Sequence, residues 1–259
     1  MLGLKLAIKI LIAAISFYVI LGLLLYFYQN KLIYHATKQD FDSCNGFNDA
    51  EKINHNGTRF YYKYNSERLA IFYHGNAGSA CDRSFFKNVL EKMNYSYMFV
   101  EYAGYSNDFR TPSKNLLVKD AENINDFVKT KNFSKTVLIG ESLGTGIAAY
   151  HSSLGDAEKM ILIAPFESIK SLAKIHYPIY PSFLVVEDYD NLRYLNNFNN
   201  SILIIHGTDD TIIPLKYNKS LFRNIKSGNK KFVEIKNAGH NDLYEHEEVF
   251  DSIMEFLKE

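Results

Sequence analysis

The apolar run Val137-Leu138-Ile139 leads straight into Gly140-Glu141-Ser142-Leu143-Gly144, and Thr145 to Tyr150 continues with small residues and one aromatic. That order predicts a buried strand, a very tight turn and a helix with its small residues facing inward. Glycine is required on both sides of the turn because side chains there would meet neighbouring backbone. Ser142 is then pushed out at the carboxyl edge of a sheet, near the positive end of the following helix.

Three other loops carry matching punctuation. His74-Gly75-Asn76-Ala77-Gly78-Ser79 follows the strand-like Leu69 to Tyr73. His206-Gly207-Thr208-Asp209-Asp210 follows Ile202 to Ile205, and Ala238-Gly239-His240-Asn241-Asp242 follows Lys231 to Ile235. Serine, aspartate and histidine in that chain order, each after a strand, is the signature of α/β-hydrolases. The expected fold is α/β, with a mostly parallel central sheet covered by helices on both faces.

The remaining periodicity fits this arrangement. Strands are expected over 59–64, 69–73, 97–102 and 160–164, with a turn at Asn65-Ser66-Glu67. Helical spacing marks 79–93, a helix opening at Pro112-Ser113, a helix through Leu221, Phe222 and Ile225, and a closing helix over 249–257. The segment 166–200 departs from the alternation. It is expected to form a small cap or an ordinary helix pair packed on the sheet.

Ile10 to Tyr28 carries no charge over about nineteen residues, the length of one membrane span. Tyr26, Tyr28 and Lys31 at its far end suit a membrane interface, and no small-residue cleavage site follows. Residues 1–30 are therefore expected to be an uncleaved single-pass signal anchor rather than a cleaved signal peptide, with the hydrolase-type domain over 31–259. Lys5 and Lys9 place the amino terminus in the cytoplasm and the domain on the other side, although Lys31 and Lys38 oppose them. The anchor is expected to lie outside the globular domain.

Lys and Arg total 29 and Asp and Glu total 29, which gives no reason to expect nucleic acid as a partner. Cys44 and Cys81 are too few for a disulfide framework, leaving room for one bridge. No metal-ligand spacing occurs. The sequence sets no oligomeric state.

A serine hydroxyl needs a base within hydrogen-bond reach to act as a nucleophile. His240 is the candidate base, and Asp210 the group that would orient its ring, with adjacent Asp209 as the alternative carboxylate. The oxyanion of a tetrahedral intermediate would need two backbone donors, expected at Leu143 and Asn76. His74 and His206 are expected to shape turns, and His246 to be a solvated surface residue. Glu141 is expected either to face solvent or to act on the imidazole.

Nearly the whole chain resembles the membrane-anchored serine hydrolases called Bem46-like, ABHD13-like or ABHD17-like. The resemblance runs through Gln29 to Tyr34, His74 to Gly78, Glu101-Tyr102-Ala103-Gly104-Tyr105, Pro112-Ser113 with Asp120-Ala121, Gly140 to Gly144, Ala164-Pro165-Phe166, His206 to Asp210 and Gly239-His240. It implies Ser142 as nucleophile, Asp210 as acid and His240 as base, with no cofactor. It implies cleavage of an ester or thioester of a small-molecule, lipid-like or acylated substrate. Serine peptidase activity and an inactive, membrane-tethered binding module are the alternatives. Ala103 departs from the family's usual Arg, so a structural ion pair or hydrogen bond of the relatives is expected to be missing.

Overall fold

The computed structural model describes residues 2–155 and 157–258. In chain order it contains α1 (Leu2–Ile33), β1 (His35–Ala36), β2 (Glu51–His55), β3 (Thr58–Lys63), β4 (Arg68–Tyr73), β5 (Ala77–Gly78), α2 (Lys87–Lys92) and β6 (Ser96–Glu101). There follow α3 (Lys114–Lys129), β7 (Lys135–Glu141), α4 (Leu143–His151), β8 (Ala157–Ile163), α5 (Ile169–His176) and α6 (Asn191–Leu195). β9 (Ser201–Gly207), α7 (Leu215–Asn224), β10 (Lys230–Ile235) and α8 (Glu247–Lys258) complete the chain.

Eight strands form one sheet in the order β10-β9-β8-β7-β4-β6-β3-β2. β10 through β6 are joined by parallel pairings, and β3 and β2 add antiparallel pairings at one edge. Alternate side chains of a strand face opposite sides of a sheet. Accordingly Leu69, Ile71 and Leu138 join one core with Leu117, Ile147 and Leu221 of α3, α4 and α7. Ala70, Phe72 and Ile139 join a second core with Leu90, Val249 and Ile253 of α2 and α8. The mostly parallel sheet with helices on both faces is thus observed.

Local signals held at α3, where the Ser113 hydroxyl accepts the Leu116 N–H at 3.4 Å as an N-cap. Two stretches differ from expectation. β2 has largely exposed Glu, Lys and Asn positions, so its hairpin with β3 leaves no apolar alternation. Within 79–93 only Lys87–Lys92 is α-helical, because Cys81 is bonded to Cys44 and Gly46 lies hard against Ser84, fixing Cys81–Phe86 in a tighter coil.

α1 is long and apolar enough to cross a membrane. The expectation that it stands apart from the domain is corrected at its carboxyl half. Tyr18 stacks on Tyr180 with ring centroids 4.7 Å apart, and Tyr18 donates to the Ile179 carbonyl at 2.9 Å. Gly22 is buried beneath the Tyr180 ring. Gln29 is buried too: its Oε1 accepts the N–H groups of Val186 and Glu187 at 2.9 and 3.1 Å. Positions 18, 22, 25, 29 and 33 share one helical face, so a stripe of α1 docks while most of the remaining helix stays exposed. Residues 31 onward then fasten to the segment between α5 and α6 through Tyr34, whose hydroxyl reaches Glu187 at 2.7 Å and Tyr189 at 2.9 Å.

Candidate active site

Ser142, Asp210, His240 and Asn76 follow β7, β9, β10 and β4 at the carboxyl edge of the sheet, where ligands of open α/β sheets bind. Ser142 itself sits at φ 47°, ψ −114°, a region L-residues seldom occupy. The close packing of the turn explains that strain. A Cβ on Gly140 would lie 2.6 Å from Thr145 Cα, and one on Gly144 would strike the carbonyl oxygens of Tyr73 and His74. Ser142 N donates to the Ile163 carbonyl at 2.8 Å, and Asn191 holds Thr145 at 2.9 Å, which fixes the start of α4.

Ser142 Oγ lies 2.9 Å from His240 Nε2, and His240 Nδ1 lies 2.7 Å from Asp210 Oδ2. Asp210 Oδ1 accepts the N–H groups of Ile212 and Ile213 at 2.8 and 2.7 Å. Burial alone would raise the Asp210 pKa, but the hydrogen bond and charge of His240, with the Ile213 N–H, hold it below the ordinary carboxylate range. It is therefore a stable anion facing the imidazole. Asp209 is exposed and bonds Thr208 instead, so the structure separates the two candidate carboxylates.

The loops that carry Asp210 and His240 hold each other. Asp209 N donates to the Ala238 carbonyl at 2.9 Å, and Asn237 N to Thr208 Oγ1 at 2.9 Å. Gly207 permits this approach, since a Cβ there would collide with the Ala238 carbonyl. Asp242 accepts the Gly239 N–H at 2.6 Å and so braces the histidine loop, a role no sequence pattern marked.

Asn76 and Leu143 line the same cavity as Ser142 and His240. Leu143 opens α4, so its amide has no intrahelical acceptor and is available at the turn. The Asn76 loop is tied to the end of α1: Asn76 Nδ2 donates to the Ile33 carbonyl at 3.0 Å, and the Asn76 carbonyl accepts His35 N at 3.0 Å and the Tyr105 hydroxyl at 2.7 Å.

His206 and His74 behave as turn and core residues. His206 Nε2 donates to the Ile213 carbonyl at 2.7 Å, and burial lowers its pKa, leaving it a neutral neighbour of Asp210. His74 is fully buried and stacks on Tyr102. His246 is half-buried rather than solvated, at the turn that precedes α8. His176, which carried no motif, reaches the Ile212 carbonyl at 2.9 Å and lines the cavity. Glu141 meets neither expectation. It forms a two-pronged pair with Arg83 at 2.8 and 2.6 Å and accepts the Tyr244 hydroxyl at 3.1 Å.

Two cavities meet at Ser142 and His240. One, of about 550 Å³, runs between α1, α5 and the segment that follows α5, and its walls are mainly apolar. The other, of about 340 Å³, is walled by Arg83, Glu141, Asp82 and Tyr244. Among the described residues no cluster of His, Cys, Asp and Glu suited to a metal ion occurs.

No protein-family model matches the chain. It is 26% identical over 191 residues to uncharacterized protein Rv2307c of Mycobacterium tuberculosis, covering 71% of this chain and 68% of that protein. It is 29% identical over 215 residues to lysophosphatidylserine lipase ABHD12 of Bos taurus, covering 72% of this chain and 53% of the lipase. The chain thus spans about half the length of that lipase. Among solved structures, the esterase Pf2001 of Pyrococcus furiosus superposes with TM-score 0.66 at 16% identity, covering 81% of this chain and 89% of the esterase. Est1E of Butyrivibrio proteoclasticus gives TM-score 0.64 at 17% identity, covering 80% and 97% of the two chains. At such identities the structural likeness concerns the fold.

Proposed function

We propose that this chain, a member of the α/β-hydrolase superfamily, is a membrane-anchored serine hydrolase that cleaves carboxylic esters or thioesters of lipid-like or acylated substrates. The observation that carries the proposal is the continuous line Ser142 Oγ, His240 Nε2, His240 Nδ1, Asp210 Oδ2, with both links under 3 Å. His240 takes the Ser142 proton as Oγ attacks the carbonyl carbon, and the Asp210 anion stabilises the resulting imidazolium. The Leu143 and Asn76 amides receive the negative charge that develops on the carbonyl oxygen. Collapse expels the alcohol or thiol, which takes the proton from His240, and leaves an acyl group on Ser142. Water activated by the same histidine then releases the acid.

The mainly apolar walls of the larger cavity, the membrane-length helix and the similarity to lysophosphatidylserine lipases all favour an amphiphilic substrate. The segment 166–200 serves as a small cap through α5 and residues 177–187, while α6 packs on α4. The Cys44–Cys81 disulfide favours an oxidising compartment, hence a catalytic domain on the non-cytoplasmic side. A panel of short esters, long esters, thioesters and peptides, with the Ser142→Ala protein as blank, tests the reaction class. Serine-dependent turnover of esters or thioesters is expected. Turnover confined to peptides would contradict the proposal.

A further inference from the structure

α1 does more than reach the membrane. Leu25, Gln29 and Ile33 on its docked face line the larger cavity together with Leu172, Tyr180 and Leu184. The contact is built rather than incidental. Gln29, at the polar end of the apolar run, satisfies two backbone N–H groups of the 177–187 segment with its Oε1. Its Nε2 donates to the Tyr26 carbonyl at 2.7 Å and the Leu184 carbonyl at 3.3 Å. Gly22 lets the Tyr180 ring lie directly on the helix. The outer surface of the same segment is apolar and exposed: Ile179 is 68% exposed, Phe183 75% and Val186 55%. Exposed apolar residues beside a membrane-length helix continue its lipid-facing surface.

We propose that the larger cavity holds the hydrocarbon chain of an amphiphilic ester, with α1 as a specificity-determining wall, and that the chain reaches it from the bilayer across the 177–186 segment. The inference rests on the serine hydrolase proposal for its chemistry and on the cavity alone for its binding. The geometry at the serine fits. The apolar cavity and the polar one walled by Arg83, Glu141 and Tyr244 share Ser142 and His240, so a chain in the first leaves a polar head group in the second and its ester at Oγ. Its volume of about 550 Å³ lies within the roughly 300–1,000 Å³ of small-molecule sites.

The test uses full-length protein in lipid nanodiscs. Leu25→Trp fills the cavity from the α1 side, while Leu24→Trp, at a position 47% exposed and outside the cavity lining, serves as the control. The ratio of kcat/KM for p-nitrophenyl palmitate over p-nitrophenyl butyrate should fall at least about tenfold in Leu25→Trp. It should stay within about a factor of two in Leu24→Trp. Equal ratios in the two variants would overturn the proposal. A diazirine-bearing palmitic acid, photolysed with Ser142→Ala protein, reads binding without turnover. Labelling of residues 21–33 and 172–186, displaced by unlabelled palmitic acid, is expected. Labelling confined to other parts of the chain overturns the wall. Labelling there, with a wild-type protein that hydrolyses no ester, upholds the wall and removes the serine proposal instead.

Discussion

His240 Nδ1 stands 2.7 Å from Asp210 Oδ2, while neighbouring Asp209 turns outward to Thr208. Two adjacent carboxylates thus have unlike surroundings, and only one can orient the imidazole. Asp210→Asn should lower kcat on a soluble ester by roughly 10²–10⁴, since the ring loses its anionic partner. Asp209→Asn should leave kcat within about a factor of three, as expected for a surface change. Steady-state kinetics of both folded variants checks the assignment, and the reverse pattern would name Asp209 as the acid.

Cys44 and Cys81, joined across a sequence separation of 37, pin the strand-leading segment to the coil before α2. Replacing both with serine should cost about 2–4 kcal/mol of stability. Denaturant unfolding of the oxidised wild type and of the double variant measures it. In native membranes the pair should also resist a thiol-reactive polyethylene glycol maleimide until a reductant is added. Immediate modification of both cysteines would indicate a reducing compartment and a cytoplasmic domain.

Asp120 is a buried carboxylate on α3. Its carboxylate accepts Thr58 Oγ1 at 2.7 Å and Ala103 N at 2.8 Å, and no cation bonds it among the described residues. Burial pushes its pKa up to about 6 from 3.8, against the pull of those hydrogen bonds. A raised folded-state value means the folded protein binds the proton more tightly than the unfolded chain. The contribution is complete below about pH 4 and lost as pH rises through about 6. Between pH 7 and pH 4 the wild type should therefore gain roughly 2–3 kcal/mol relative to Asp120→Asn. Urea unfolding of both proteins across that range checks the sign. A pH-independent difference would contradict it.

Gln29 fastens α1 to the segment that follows α5. Gln29→Leu strands the Val186 and Glu187 N–H groups, at a cost of about 1–3 kcal/mol for each left unsatisfied. Amide exchange over residues 182–188 should accelerate while β7 and β9 stay protected. Unchanged exchange in that segment would mean that Gln29 does not protect these amides.

The parts of the site written in short local patterns were legible. The elbow glycines, the carboxylate after His206-Gly207 and the histidine after Gly239 each sit in a loop whose backbone dictates residue type within a few positions. The sheet followed from apolar runs of strand length. Contacts between distant segments left no such trace. Gln29 looked like the polar end of an anchor, because its partners lie more than a hundred and fifty residues away. Glu141 offered no sign of Arg83, and Asp242 none of its hold on Gly239. β2 was invisible because an exposed edge strand has no apolar face to reveal it.

The nucleophilic character of Ser142 is the central claim, and a fluorophosphonate probe tests it most directly, because only an activated serine reacts. Full-length protein in detergent micelles should be labelled at one site, and mass spectrometry should map the adduct to the peptide containing Ser142. Ser142→Ala should abolish the label, and His240→Ala should slow it by on the order of a thousandfold or more. Undiminished labelling of folded Ser142→Ala protein, or no labelling of the wild type, would contradict the account.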